Sequence, residues 1–142
     1  MSEGFIKEIS ARETWLVRHP VLRAGRPLED CVFPHDEDQS TAHFGAFHQG
    51  HLVGVVTLLH PTEHQFQLRG MAVLTDLQKI NIGSRLVNHL EARVNSIGGG
   101  RIWMNARALA VPFYLKLGYH ICSEVFEVQG IGPHYVMEKT VS

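Results

Sequence analysis

The chain offers little to a membrane, a metal or a polyanion. No apolar stretch in it approaches the roughly 20 residues that span a bilayer, and it opens without the basic start and apolar run of an export signal. Cysteine is scarce. Cys31 and Cys122 lie far apart and in no metal-ligand spacing, which excludes a disulfide scaffold and, with the missing leader, predicts a reduced, cytoplasmic setting. Neither sign of charge dominates: 13 Lys+Arg stand against 14 Asp+Glu, so no global field draws nucleic acid or an anionic membrane surface. Any anion site must therefore be local. Histidine is plentiful, at ten residues, but no pair falls at i, i+4 on a convincing helix and Pro61 interrupts His60 and His64. We expect no metal.

What is present is ordinary for one folded domain. The 142 residues, 44% of them hydrophobic, suffice for one core and not two, so a single domain over 1–142 is expected. Phe5 to Ile9 reads as a short strand, and Ser10 with Glu13 forms a capping box for a helix through Trp15, Leu16 and Val17 that Pro20 should break or kink. Arg23 to Ser40, with Gly25, Pro27, Pro34 and the cluster Asp36-Glu37-Asp38, reads as a long surface connection. Ala42 to His48 and Leu52 to Leu59 flank Gln49-Gly50-His51 as a hairpin, and Phe66 to Leu74 follows a turn at Pro61 to His64.

Asn81 to Ile97 reads as the central helix. Ile82, Leu86, Leu90, Val94 and Ile97 recur at spacings of four and three, giving one apolar face for a sheet, and Gly98-Gly99-Gly100 ends it. Beyond lie a strand at Arg101 to Asn105, a helix at Ala108 to Leu117 stopped by Gly118, a strand at Tyr119 to Val128 and a last strand at Tyr135 to Lys139. This alternation calls for a mixed sheet with helices on both faces.

The stretch Gln78-Lys79-Ile80-Asn81-Ile82-Gly83-Ser84 stands between the apolar run Met71-Ala72-Val73-Leu74 and the central helix. The first N–H groups of a helix lack intrahelical partners and its macrodipole is positive there, so a phosphate or pyrophosphate is well accommodated. It is neither a Walker loop, which needs a Gly-Lys pair and a hydroxyl, nor a dinucleotide loop with three spaced glycines. What remains is Gln-x-x-Asn-x-Gly.

That pattern resembles the (Arg/Gln)-x-x-Gly-x-(Gly/Ala) hallmark of the GNAT superfamily of coenzyme A-dependent acetyltransferases, with Asn81 in place of the middle glycine. Asn tolerates left-handed backbone angles and caps helices, so the loop can still form. A second segment, Asn105 followed by a helix ending in Phe113-Tyr114-Leu115-Lys116-Leu117-Gly118-Tyr119, is similar to the family's strand-helix motif. The ending Gly130-Ile131-Gly132-Pro133-His134-Tyr135 resembles that of a bacterial GNAT subgroup whose substrates are largely unassigned.

The resemblance implies an α/β (α+β) GNAT-like domain: a mixed central sheet of about seven strands, helices on both faces, and two parallel strands, Arg69 to Leu74 and Arg101 to Asn105, splayed at the acetyl-CoA site. The implied coenzyme residues are Met71, Ala72, Val73, Gln78, Lys79, Ile80, Asn81, Ile82, Gly83, Ser84, Asn105, Ala110, Phe113 and Tyr114. Main-chain groups of Met71 and Val73 would meet the acetyl carbonyl and the pantetheine amides, with Met71 N–H as oxyanion donor. Tyr114 stands at the position of the family's general acid, where a phenol can protonate the departing thiolate. The base has no such counterpart. Gln67 and Arg69 occupy positions that carry histidines in some members, and His134 and Glu127 are the candidates. Arg69 would either pair with a carboxylate or phosphate on the acceptor or be held by a neighbouring acidic side chain.

The expected reaction is transfer of the acetyl group of acetyl-CoA to a primary amine of a small molecule or protein. Alternatives are a GNAT-like module that holds acyl-CoA without turnover, and transfer of another acyl group. No nucleic acid or membrane partner is expected, and a homodimer is compatible with the resemblance.

Overall fold

The computed structural model describes residues 4–77 and 81–142. The first strand, β1 (Gly4–Ile9), hands the chain to Ser10, whose hydroxyl accepts the Glu13 N–H at 3.1 Å while the Glu13 carboxylate accepts the Ser10 N–H at 2.8 Å. This reciprocal cap satisfies two donors that a helix start leaves without partners. Helix α1 (Ala11–Leu22) then runs past Pro20, so of the break or kink expected there the break does not occur. Pro20 lies in the last turn and forfeits only the bond to the Leu16 carbonyl, and Leu16 is exposed, so water can take the lost bond.

The connection after α1 is less superficial than its composition suggests. It contains a 3-10 turn (Leu28–Cys31) and buries Cys31 and Asp36. A hairpin follows, β2 (Ala42–His48) and β3 (His51–Thr62), with His48 paired to His51. Only Gln49 and Gly50 form the turn, both at positive φ (52° and 83°), the two-residue geometry that suits the twist of paired strands. Strand β4 (Gln65–Val73) and a short 3-10 turn (Thr75–Leu77) precede α2 (Ile82–Ser96). Strand β5 (Gly100–Arg107) leads to a 3-10 turn (Ala108–Ala110) and α3 (Val111–Lys116), where one helix was expected. Pro112 explains the division, because a residue without an N–H fits the first turn of an α-helix and not its interior.

The expected strand Tyr119 to Val128 is also divided, into β6 (His120–Ile121) and β7 (Phe126–Val128), both antiparallel to β8 (Gly132–Val141). Between them the Val136 carbonyl still accepts the Cys122 N–H at 2.9 Å, but the Val136 N–H donates to the Ser123 hydroxyl at 2.8 Å in place of a main-chain acceptor. Among the described residues the sheet thus has eight strands, in the order β1-β2-β3-β4-β5-β8-β6 with β7 beside β8. Every pairing is antiparallel except β4 with β5.

Helices cover both faces. Ile82, Leu86, Val87, Leu90 and Val94 of α2 are buried against Phe44, Val56, Leu68, Ile102, Met104 and Met137 from strands across the sheet. Leu86 and Leu90 are fully enclosed, which stabilises the fold by roughly 1.5–3 kcal/mol each. Ile97, expected on that face, is 46% exposed because it sits at the C-cap, past the last helical turn. On the other face Val17 of α1 packs with Ile9, Val55 and Ala72. Among the described residues no helix is long and apolar enough to cross a membrane.

Candidate active site

The parallel strands β4 and β5 are partners over only Gln65–Gln67 and Arg101–Trp103. Past that point β4 continues to pair with β3 as far as Val73↔Gly54, and β5 with β8 as far as Arg107↔His134, but the two no longer pair with each other. The sheet opens as a V between them. A cavity of about 480 Å³ occupies the opening. Its walls are Leu68 to Met71 of β4, Met104 to Arg107 of β5, Ala110, Phe113 and Tyr114 around α3, Leu22, Arg23, Phe33 and Pro34 from the end of α1 and the following loop, Ile131 just before β8 and His134 within it.

A bulge shapes the β4 wall. Val55 faces Ala72 and Thr57 faces Arg69, so Gly70 and Met71 together oppose Val56. Gly70 adopts φ +66°, a left-handed conformation that only glycine takes freely, and it supplies the extra residue. Arg69 and Ala72, three apart, therefore look to the same α1-side face: Ala72 packs with Val17 while Arg69 reaches Asp36. The Leu74 N–H donates to Val53 C=O at 2.8 Å, so by strand alternation the main-chain groups of Met71 and Val73 are directed to the β5 side, into the V. Gly70 was not singled out from sequence. A lone glycine inside an apolar strand pattern was its signal.

Arg69 takes the second of its two expected forms. Its Nη2 donates to Asp36 Oδ1 at 2.8 Å and to the Pro34 carbonyl at 2.5 Å, while its guanidinium still lines the cavity. Asp36 also accepts from Arg18 Nη1 at 2.6 Å and from the Phe33 N–H at 3.0 Å. Arg18 is fully buried and donates further to the Cys31 carbonyl and to Thr57 Oγ1, both at 2.9 Å. Thr57 Oγ1 lies 2.7 Å from His43 Nδ1, and His43 Nε2 lies 2.9 Å from the Asp36 carbonyl. A carbonyl only accepts, so Nε2 carries the proton and Thr57 donates to Nδ1. Burial pushes the Asp36 carboxyl up, but the hydrogen bonds from Arg18 and Phe33, the Arg18 charge and Arg69 outweigh it and hold it below the ordinary carboxylate range. Neither Arg18 nor Phe33 was singled out from sequence. An arginine on the buried stripe Ala11, Thr14, Val17, Arg18 was the available clue.

Tyr114 lies at the α3 wall, buried against Phe113 and Tyr119 at ring-centroid distances of 4.9 and 5.9 Å. Its hydroxyl has no hydrogen-bond partner among the described residues, whereas the neighbouring Tyr119 hydroxyl donates to Glu91 at 2.8 Å. Burial raises the Tyr114 phenol far above its ordinary value, so it holds its proton. His134 is buried at the opposite wall beside Phe126. Its Nδ1 sits 2.9 Å from the Gly132 carbonyl, and since that oxygen can only accept, the neutral ring leaves Nε2 as an acceptor. Asn105 is exposed on the same face and lines the cavity. Glu127 lies exposed on β7, away from the cavity walls.

Gln78, Lys79 and Ile80 lie outside the described residues. At the start of α2, Asn81 has φ 65° and ψ 19°, so the left-handed geometry expected of it is present, although its side chain makes no capping bond. Ile82 is buried in the core and Ala72 in the opposite cluster, which leaves only their main chains for a ligand. Space at Gly83 is tight: a Cβ there would lie 3.1 Å from Phe113 Cζ, so the ring would have to give by a few tenths of an ångström. Ser84 is half-buried in the same first turn.

A mixed sheet parted between its two parallel strands, with a helix starting beside the opening, defines an acyltransferase fold of the GNAT type. The acetyltransferase (GNAT) domain family matches residues 30–141, and the chain belongs to that family. It is 32% identical over 142 residues to the uncharacterized N-acetyltransferase YitI of Bacillus subtilis (strain 168), covering 96% of this chain and 95% of that protein. Solved structures share the fold. An aminoglycoside 6'-N-acetyltransferase complexed with coenzyme A superposes with a TM-score of 0.80 at 21% identity, over 97% of each chain. The ribosomal-protein-S18-alanine N-acetyltransferase from Escherichia coli superposes at 0.81 and 16% identity, over 98% of this chain and 94% of that one.

Proposed function

We propose that the whole chain, 1–142, acts as one domain that transfers the acetyl group of acetyl-CoA to a primary amine of a small molecule or protein by direct attack. The observation that carries this reading is the V between β4 and β5, with main-chain groups of Met71 directed into it and Tyr114 in its wall. The residues present suit the coenzyme. A pantetheine arm is an extended amide chain that can take the place of a strand in such an opening. The first turn of α2, with no side-chain cap from Asn81, offers N–H groups to a pyrophosphate, and Ser84 can add a hydroxyl.

Bound acetyl-CoA supplies the activated acyl group and a thiol as leaving group. Met71 N–H, fixed by the bulge, is positioned to stabilise negative charge developing on the acetyl oxygen. His134 Nε2 accepts the proton that an arriving ammonium must lose before its nitrogen bonds to the acetyl carbon. As the bond from that carbon to sulfur breaks, Tyr114 gives its proton to the thiolate and is restored by the second proton, which the nitrogen sheds as the amide forms, a role suited to a phenol whose own ionisation is suppressed by burial. Asn105 holds the arm through its side-chain amide, and Ala110 and Phe113 pack beside it.

Thermal unfolding with acetyl-CoA and with free coenzyme A, followed by thiol release over a panel of amines, tests the reading. Stabilisation by both with release for at least one amine supports it. Stabilisation with no release for any amine would point instead to a module that holds acyl-CoA, and release only from longer acyl-CoA to a different acyl group.

A further inference from the structure

The α1-side face of the sheet is only half covered. Helix α1 packs on β2, β3 and β4, so Asn105 and Arg107 of β5, whose neighbours Met104 and Ala106 point into the α2-side core, remain open beside His134. The cavity that reaches this face is lined by Arg23, Arg69 and Arg107, and among the described residues by no Asp or Glu. Asp36, the acid behind the wall, is 6% exposed and already accepts from Arg18, Arg69 and the Phe33 N–H. A chain whose formal net charge is −1 thus concentrates cations at one opening.

Two of those cations have no carboxylate of their own. Arg107 is exposed with no ion-pair partner among the described residues. Among the described residues the Arg23 side chain donates only to the Leu22 carbonyl, at 2.9 Å, and lies against the Phe33 ring at 4.9 Å. Partial burial and then the nearby charges of Arg26 and Arg107 disfavour its charged form, against smaller opposing effects of Cys31 and Asp30, and Arg23 and Arg107 line the same cavity. An anion between them would relieve that repulsion and accept from two planar forks. The coenzyme phosphates are not the candidates for this place, since the helix start that suits them belongs to α2, on the other face of the sheet.

We propose that the amine acceptor carries an anionic group, a carboxylate or a phosphate, which Arg23 and Arg107 hold on the α1-side face while its amine is turned toward His134 and Met71. This deepens the acetyl-transfer reading and rests on it. It also sets the chain apart from enzymes whose acceptors are polycations, for which this opening is repulsive.

Matched probes decide it. Thiol release from acetyl-CoA is followed with β-alanine, O-phosphoethanolamine, ethanolamine and spermidine, and the corresponding N-acetyl compounds of the first three are titrated calorimetrically into the protein saturated with coenzyme A. We expect kcat/KM at least tenfold higher for an anion-bearing amine than for ethanolamine, and the β-alanine and phosphate arms tell which anion is preferred. The advantage should collapse in Arg107→Ala and Arg23→Ala through KM, and largely survive in Arg107→Lys, with thermal midpoints confirming that the variants fold. Ethanolamine or spermidine serving as well as the anionic amines would overturn the proposal, as would N-acetyl anions binding no more tightly than N-acetylethanolamine. If no amine is acetylated, yet the N-acetyl anions bind selectively and lose that selectivity in Arg107→Ala, the anion site stands and the transfer reading falls.

Discussion

At the scale of single residues, the proposed chemistry asks one group to keep its proton and another to accept one. Tyr114 is buried with its ionisation suppressed, and His134 has one nitrogen committed to a carbonyl and the other open. Tyr114→Phe should lower turnover tenfold or more, about 1.4 kcal/mol in barrier, while coenzyme affinity measured by calorimetry stays nearly intact. Unchanged turnover would remove it as the acid. Asp36 acts at the same scale through stability. Its folded pKa lies below the ordinary carboxylate value, so its contribution is fully present above that value and is lost as pH falls through the lower folded one. Asp36→Asn strands the buried Arg18 charge, and urea unfolding at neutral pH should show a loss of roughly 3–5 kcal/mol that narrows in acid.

At the scale of elements, two glycines do different work. Gly70 gives β4 its bulge, and a Cβ there would meet both a strained backbone and the Arg18 guanidinium at 3.3 Å. Gly70→Ala should lower the thermal midpoint and depress kcat more than coenzyme affinity, because the Met71 N–H is displaced; an unaltered kcat would separate the bulge from the chemistry. Gly83 instead lets Phe113 close on the first turn of α2. Gly83→Val should weaken coenzyme binding in titration calorimetry, and equal affinity would contradict the placement of the loop. These two positions also mark what the sequence could and could not disclose. The α2 stripe was legible because helical spacing repeats, and the Ser10–Glu13 box because its partners are three residues apart. The bulge was not, since a strand pattern counts residues by twos and one extra residue merely shifts its phase.

For the molecule as a whole, long-range pairings stayed hidden. Arg18 and Asp36 are joined across a loop whose composition reads as surface, and only folding brings Arg69 and Phe33 to them. The order of elements was readable, and so was the split between β4 and β5 once the two motifs were taken together. The expected late strand is divided into β6 and β7 where the Ser123 hydroxyl meets Val136, a contact thirteen residues apart that no local pattern announces.

The brevity of the β4–β5 ladder has a mechanical consequence. The pairs from Gln65↔Arg101 to Gln67↔Trp103, with the Arg101 N–H donating to the His64 carbonyl at 2.9 Å at their edge, stitch one half of the sheet to the other, while the α2-side core continues beneath both. Such a seam should breathe. A ligand lying along it acts as a missing strand and, at a hundred times its dissociation constant, would add about 2.7 kcal/mol to the folded state. Hydrogen–deuterium exchange should then slow at Met71 to Val73 and at Asn105 when acetyl-CoA is added, and hardly change in the β1–β2 hairpin pairing. The supply of coenzyme would govern how stiff the protein is as well as how fast it works.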